Sequence, residues 1–378
     1  MGALPNELSD YIVDFLHDDR QSLKSCSLTC RSWYPAARFH LYDRVYLSSP
    51  AAACTLQELL HESPYVGQFT QHLVMAKVAP QATPDPHKDN GQEPALRTWE
   101  PLFSALPNVH QLGISWLEID IAFQSALLHN FVQTTELTLQ YCRFPSFGGF
   151  ASVLHSFPSL QQCTLRGISW ETSPELLLSD PVEERAAHIC IKNLTLGRDL
   201  DLQLLVEWLL QEHICDELES ISACLAYESD AIMLGELLRV SAPTLKHVEL
   251  DWYCSSYRDV RLPFEFTLAG CANLETLSLH CPIALGATVP WVNALLADVN
   301  PAKLESVALD IRLLGTLFGL NWARLEGTLL QDTFTSLSKV AVKVTAWHTA
   351  TEYMDDIPAF VRCHLPQLHS RNILQYIK

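Results

Sequence analysis

Fifteen histidines, twelve cysteines and 43 acidic residues in a chain of 378 could in principle support nucleophilic, acid–base or metal chemistry. Their spacing does not organise them for it. No H-E-x-x-H sets two imidazoles on one helix face for zinc, and no G-x-S-x-G builds a nucleophile elbow. The densest cluster is Cys215 with His213, Asp216 and Glu217, a thiol near a base and two carboxylates, but no motif orients the base on the nucleophile. Cys26 and Cys30, one helical turn apart, offer two metal ligands with no nearby His or Cys to complete a set. His188-Ile189-Cys190 and His280-Cys281 read as strand-edge residues. Glycine, which phosphate cradles consume, is scarce at 14 of 378, below the usual ~7%, and neither G-x-G-x-x-G nor G-x-x-x-x-G-K-[ST] occurs. The expectation is a protein that binds, with no catalytic residue, metal or cofactor.

The candidates for recognition are polar residues at alternate places beside a recurring apolar triad, L-x-x-L-x-L. Its nine instances run Val109/Leu112/Ile114, Thr134/Leu137/Leu139, Leu160/Cys163/Leu165, Ile191/Leu194/Leu196, Leu218/Ile221/Ala223, Leu245/Val248/Leu250, Leu274/Leu277/Leu279, Leu304/Val307/Leu309 and Leu337/Val340/Val342. With 48% apolar content any one triad arises by chance about once in nine placements. The pacing is the signal: eight steps carry the third position from Ile114 to Val342, a mean of 28.5 residues, at the long end of leucine-rich repeats. Stops such as Pro107-Asn108, Pro158-Ser159 and Pro243-Thr244 precede triads, and helical patterns such as Leu202-Leu205-Val206-Trp208-Leu209-Leu210 and Ile232-Leu234-Leu237-Leu238-Val240 fill the intervals. Two weaker units, Thr70/Leu73/Met75 and Leu368/Arg371/Ile373, flank the array, and the Pro-rich stretch 79–95 reads as a disordered insertion.

A unit of strand, turn and helix has apolar faces that only its neighbours can cover, so the units must stack, with parallel strands on a concave face and helices on a convex one. Residues beside the buried triad positions then face outward from the strands. They include Gln140, Arg166, His247, Glu249, Asp251, His280 and Asp310, with Lys339 and Lys343 at the C-terminal end. This wall is the candidate substrate-binding surface, with a basic segment docking against Glu249, Asp251 and Asp310; a plain solvated face is the competing reading. Trp116, Tyr141 and Trp252, two places after a triad, read as core or ledge aromatics.

Ahead of the array, Leu8, Ile12, Phe15 and Leu16 fall at i, i+4, i+7 and i+8 of a helix that opens with Pro5. A polar break leads to a second helix with Leu23, Cys26, Ser27 and Cys30 on one face, and a third begins near Arg31 and carries Trp33, Tyr34, Phe39 and Leu41. Forty residues cannot bury such stripes alone, so part of the apolar surface belongs to something else.

Leu4-Pro5-x-Glu7-Leu8, Ile12, Phe15-Leu16, Leu23 and Ser27-Leu28-Thr29-Cys30-Arg31-Ser32-Trp33 resemble the F-box, the adaptor-binding motif of SCF-type cullin ubiquitin ligases. The resemblance implies that Leu4, Pro5, Leu8, Ile12, Phe15, Leu16, Leu28 and Trp33 contribute to a surface for a Skp-family adaptor and the cullin ligase core. The array behind is similar to the leucine-rich repeats that often follow an F-box, particularly in fungal members. The expected architecture is α/β: an N-terminal three-helix F-box-like module, residues 2–45, then an irregular leucine-rich-repeat α/β solenoid over 46–378.

The expected function is a substrate-recognition adaptor that holds a protein for ubiquitination. The alternative is a non-ligase leucine-rich-repeat scaffold whose N-terminal helices cap the array. A net charge of −18 without a Lys/Arg-rich run disfavours nucleic acid. No apolar stretch reaches 18 residues and Met1–Glu7 has no signal-peptide character, so no membrane partner is expected. Cysteines scattered singly, without a C-x-x-C pair, suit a reducing, intracellular compartment, cytoplasmic or nuclear.

Overall fold

Alternation of apolar and polar residues over four to eight positions makes a strand with one buried face, and the triads do this throughout. The computed structural model describes residues 6–76, 99–171, 189–252, 262–263, 266–300, 302–346 and 356–377. The insertion expected at 79–95 lies outside the described residues, as do Leu4, Pro5 and His188. The chain divides into two compact units, Met1–Gln161 with Gly167–Ile189, and Gln162–Arg166 with Cys190–Lys378.

The first unit opens with three helices, α1 (Asn6–Asp14), α2 (Arg20–Thr29) and α3 (Tyr34–Asp43). Asp19 starts α2 by accepting the N–H groups of Gln21 and Ser22, and Pro35 sits in the first turn of α3 where no amide is needed. Val13, Leu23, Cys26 and Ala37 form their small core, with Leu16, Trp33, Ala36 and Leu41 packed against it. Helix α3 runs directly into β1 (Arg44–Leu47). Then come α4 (Pro50–Glu62), β2 (His72–Ala76), α5 (Glu100–Ser104), β3 (Gln111–Ser115), α6 (Ile121–Asn130), β4 (Glu136–Gln140), β5 (Arg143–Phe144) and α7 (Phe147–His155). Strands β1 to β4 pair in parallel in chain order, as they can because each connection is long enough to cross over.

In the second unit, β6 (Gln162–Arg166), β8 (Asn193–Leu196), β9 (Ser220–Leu225), β10 (His247–Trp252), β11 (Thr276–Ile283), β12 (Ser306–Leu313), β13 (Lys339–Ala346) and β14 (Leu374–Ile377) form a second parallel ladder, again in chain order. Helices α8 (Leu202–Gln211), α9 (Glu228–Ser241), α10 (Pro290–Asp298), α11 (Trp322–Leu329), α12 (Ile357–His364) and α13 (Pro366–Ser370) complete it. The short β7 (Ser169–Trp170) belongs to the first unit and pairs with β5.

Within each ladder the triads lie in register: Leu112 opposite Leu137, Ile221 opposite Val248, Leu277 opposite Val307 and Val307 opposite Val340. The second and third positions of all nine triads are buried. Where the first position is Thr its hydroxyl latches successive strands, Thr134 donating to the Val109 carbonyl at 3.1 Å and Thr70 to that of Tyr42 at 3.0 Å. The second latch exposes a unit that the sequence pattern hid inside a helix, Tyr42/Val45/Leu47 on β1.

The structure corrects three readings. The last unit slips by three residues, since Val340 and Val342 pair with Leu374 and Tyr376 and Ile373 precedes the strand. Leu368 is instead a buried residue of α13, a helix whose first amides, Gln367 and Leu368 N–H, donate to the buried Glu326 carboxylate at 2.7 and 3.1 Å. The phase of α9 differs too: Ala231, Leu234, Gly235, Leu237 and Leu238 face inward, leaving Ile232 and Val240 in solvent. The small residues Ala231 and Gly235 belong to the buried face, which apolarity alone does not reveal. Finally, Phe15 and Leu16 follow the end of α1, so Val13, absent from the expected stripe, fills the core.

Candidate functional site

The residues expected to bind partners lie mainly on two surfaces, one in each unit. On α1, burying Val13 and Ser9 turns Leu8, Tyr11 and Ile12 outward, and Phe15 just past the helix continues their line. Phe15 is 69% exposed, its ring edge-on to Tyr11 at 4.8 Å. Leu28 on α2 is 88% exposed. Among the residues expected to bind an adaptor, Leu8, Ile12, Phe15 and Leu28 are therefore open, while Leu16 and Trp33 are half-buried against the three-helix core. Tyr11 was missed because it lies between the positions read as one stripe.

Helix α3 is held from two sides. His40 reaches the Asp14 carboxylate at 2.7 Å. Arg38 lies over the rings of Tyr34 and Tyr65 at 4.4 and 5.6 Å, and Phe39 meets Phe69 edge-on at 6.2 Å. Such cation–π and aromatic contacts fix α3, and through it the exposed face, on the turn that precedes β2.

The second surface is the strand face opposite the core in the second unit. Strand pairing brings His247, Glu249, Asp251, His280 and Asp310 together over β10, β11 and β12. Their charges are already matched. The Arg312 guanidinium donates to Asp251 at 2.7 Å with Arg198 at 3.6 Å, and His280 bridges Glu249 at 2.7 Å and Asp310 at 3.5 Å. Lys343 also reaches Asp310, at 3.0 Å, and His247 bonds the Thr276 hydroxyl at 2.8 Å.

The hydrogen bond to Glu249 is the main cause that raises the His280 pKa above its ordinary value, outweighing desolvation, with Asp310 and Asp251 adding to it. The same bond lowers that of Glu249. The acidic patch expected to hold a basic segment is thus an internally neutralised network. The sequence reading missed Arg198 and Arg312, which come from a loop and from beyond the triad. Gln140 lies on β4 in the first unit, and Arg166 on β6 sets its aliphatic stem close to Gly197.

The residues around Cys215 are arranged separately. Cys215 is buried, which pushes its thiol upward, and His213 turns to Asp216 at 3.2 Å. His280 and Cys281 sit mid-ladder on β11, with Cys281 fully buried, and not at a strand edge. Ile189 and Cys190 belong to no strand. Among the described residues no group of three or more His, Cys, Asp or Glu is arranged to hold a metal, and no helix is long and apolar enough to cross a membrane.

Residues 1–48 match a family described as F-box-like. The chain is also 31% identical over 90 residues to the F-box protein COS111 of Candida albicans, a stretch covering 24% of this chain and 12% of that protein. The matched stretch thus spans about an eighth of the length of that relative.

Proposed function

We propose that this chain is a substrate-recruiting adaptor of an SCF-type cullin ubiquitin ligase, acting inside the cell. The F-box-like helices dock on a Skp-family subunit bound to the cullin core, and the strand ladders behind them present a protein client. Such an adaptor raises the effective concentration of the client's lysines near the activated ubiquitin and needs no catalytic group of its own.

The observation that carries the reading is the apolar line Leu8, Tyr11, Ile12 and Phe15, with Leu28, left in solvent by a module whose described core centres on Val13, Leu23, Cys26 and Ala37. An apolar face of this kind on a small helical unit is the signature of helix-mediated docking. In-register triads at a mean spacing of 28.5 residues support reading each ladder as leucine-rich repeats.

The second reading, a scaffold with N-terminal helices as a cap, has in its favour the continuity of α3 with β1 and the packing of Arg38 and Phe39 on the 64–69 turn. Point substitutions separate the two better than deletion, which would cut β1. The test is capture of the full chain by a purified Skp-family adaptor, wild type beside a Leu8→Asp, Ile12→Asp double variant checked by circular dichroism. Loss of capture with an unchanged spectrum supports docking. A wild type that is not captured defeats the ligase reading, and a double variant that unfolds favours the cap.

A further inference from the structure

The residues immediately after β3, β4 and β6 are Trp116, Tyr141 and Gly167, and all three take a left-handed backbone, φ 58°, 53° and 60°. This conformation is natural to glycine and costly for a bulky side chain. The third turn uses glycine; the first two carry large aromatics. Their rings stack, 4.0 Å between centroids and 13° apart, and Tyr141 lies so close over Gly167 that a Cβ there would stand 2.5 Å from the ring. Trp116 tops the stack and is 52% exposed. These two are therefore not core residues, as buried Trp252 is; the left-handed backbone aims them outward.

Just beyond the stack the chain forms a groove of about 490 Å³, lined by Glu118, Asp120, Ile121, Arg143, Pro145 and Glu171 among others. Backbone bonds tie it together, Ile119 N–H donating to Arg143 O at 2.8 Å and Arg143 N–H to Leu117 O at 3.1 Å. Arg143 is the only cation of the lining among the described residues and pairs with Glu171 at 3.3 Å. Asp120 accepts the Phe123 N–H at the start of α6. Glu118 has no ion-pair partner among the described residues. Ile121, 77% exposed, adds an apolar side chain to the lining. Whereas the acids over β10 to β12 are paired off, Glu118 and Asp120, two and four positions after the half-exposed Trp116, have no ion-pair partner among the described residues.

We propose that this ledge is a docking site for an extended cationic segment of a partner protein, with one Arg or Lys side chain on the face of Trp116 and another at Glu118 and Asp120. The charge excess selects the cation, and the stacked aromatics give it a planar electron-rich surface. The inference deepens the adaptor reading, on which its biological sense rests, by naming the chemistry of the client.

The test is fluorescence anisotropy of a labelled Arg-Gly alternating decapeptide titrated with the full chain, beside its Glu-Gly counterpart. Trp116→Gly installs the residue that Gly167 already shows to suit this turn, so the backbone is preserved. Glu118→Lys reverses the unpaired charge, and Asp332→Lys, at an exposed acid of the second unit, reports general attraction to a chain of charge −18.

The expected result is binding of the Arg peptide alone, about tenfold weaker in Trp116→Gly and in Glu118→Lys and unchanged in Asp332→Lys. Equal weakening by Asp332→Lys, equal binding of the two peptides, or no binding of either would overturn the proposal. Adaptor capture measured on the same samples keeps the two readings apart: peptide binding without capture leaves this ledge standing and removes the ligase, and capture without peptide binding does the reverse.

Discussion

The three N-terminal helices and the strand face of β9 to β13 handle their side chains in opposite ways. The helices have more apolar surface than their core of Val13, Leu23, Cys26 and Ala37 can absorb, and the surplus points outward as Leu8, Tyr11, Ile12, Phe15 and Leu28. The strand face has abundant charge, and its acids are matched by Arg312, His280 and Lys343 of the ladder and Arg198 of a loop. Unmet valence, apolar or charged, distinguishes a surface built for a partner from one that completes itself. The N-terminal face leaves apolar side chains in solvent, while the acids over β10 to β12 are paired.

The largest loss of stability is expected from the buried core. Leu277→Ala, at a fully buried position opposite Val248 and Val307, should cost about 2–5 kcal/mol in urea denaturation. Leu8→Ala should change stability by less than about 0.5 kcal/mol. Comparable losses for the two would mean that Leu8 is packed in the free protein and that the N-terminal face is not spare.

Glu326→Ala leaves the Gln367 and Leu368 amides without their acceptor and should destabilise by about 2 kcal/mol, with faster hydrogen exchange at α13 and β14. Thr134→Val removes the latch to the Val109 carbonyl, and a loss of about 1 kcal/mol is expected in the same denaturation experiment.

The smallest effect belongs to the paired wall. His280, its pKa raised in the fold, contributes stability that is complete below its ordinary value of 6.5 and is lost as pH rises through the raised one. Glu249, its pKa lowered, contributes stability that is complete above its ordinary 4.5 and is lost as pH falls through the lowered one. The bridge is therefore fullest between pH 4.5 and 6.5. Wild type should lose a little more stability than His280→Gln between pH 6 and 8 in thermal melts, an increment under about 1 kcal/mol because Glu249 is half exposed. An identical pH dependence in both proteins would mean that the network is not formed in solution.

The strands are legible in the residue pattern alone. A period-two pattern with apolar second and third triad positions leaves one arrangement that buries them all, and register follows because a slip of one residue would turn every Leu to water. The F-box-like N-terminus is legible too, in Leu-Pro and Cys-Arg-x-Trp at their characteristic separation. The β1 unit escaped because Tyr42 closes a helix while opening a triad, and the last unit slipped because Leu368 is apolar for the sake of α13 rather than a strand.

Only the tertiary structure decided which surfaces are open. Whether Asp251 is free depends on Arg312 and Arg198, 61 and 53 positions away in the chain, and whether Trp116 points inward depends on one backbone angle. Neither appears in a pattern of residue types, because alternation specifies the side of a strand while long-range pairing and a left-handed turn specify what meets a side chain once it is there.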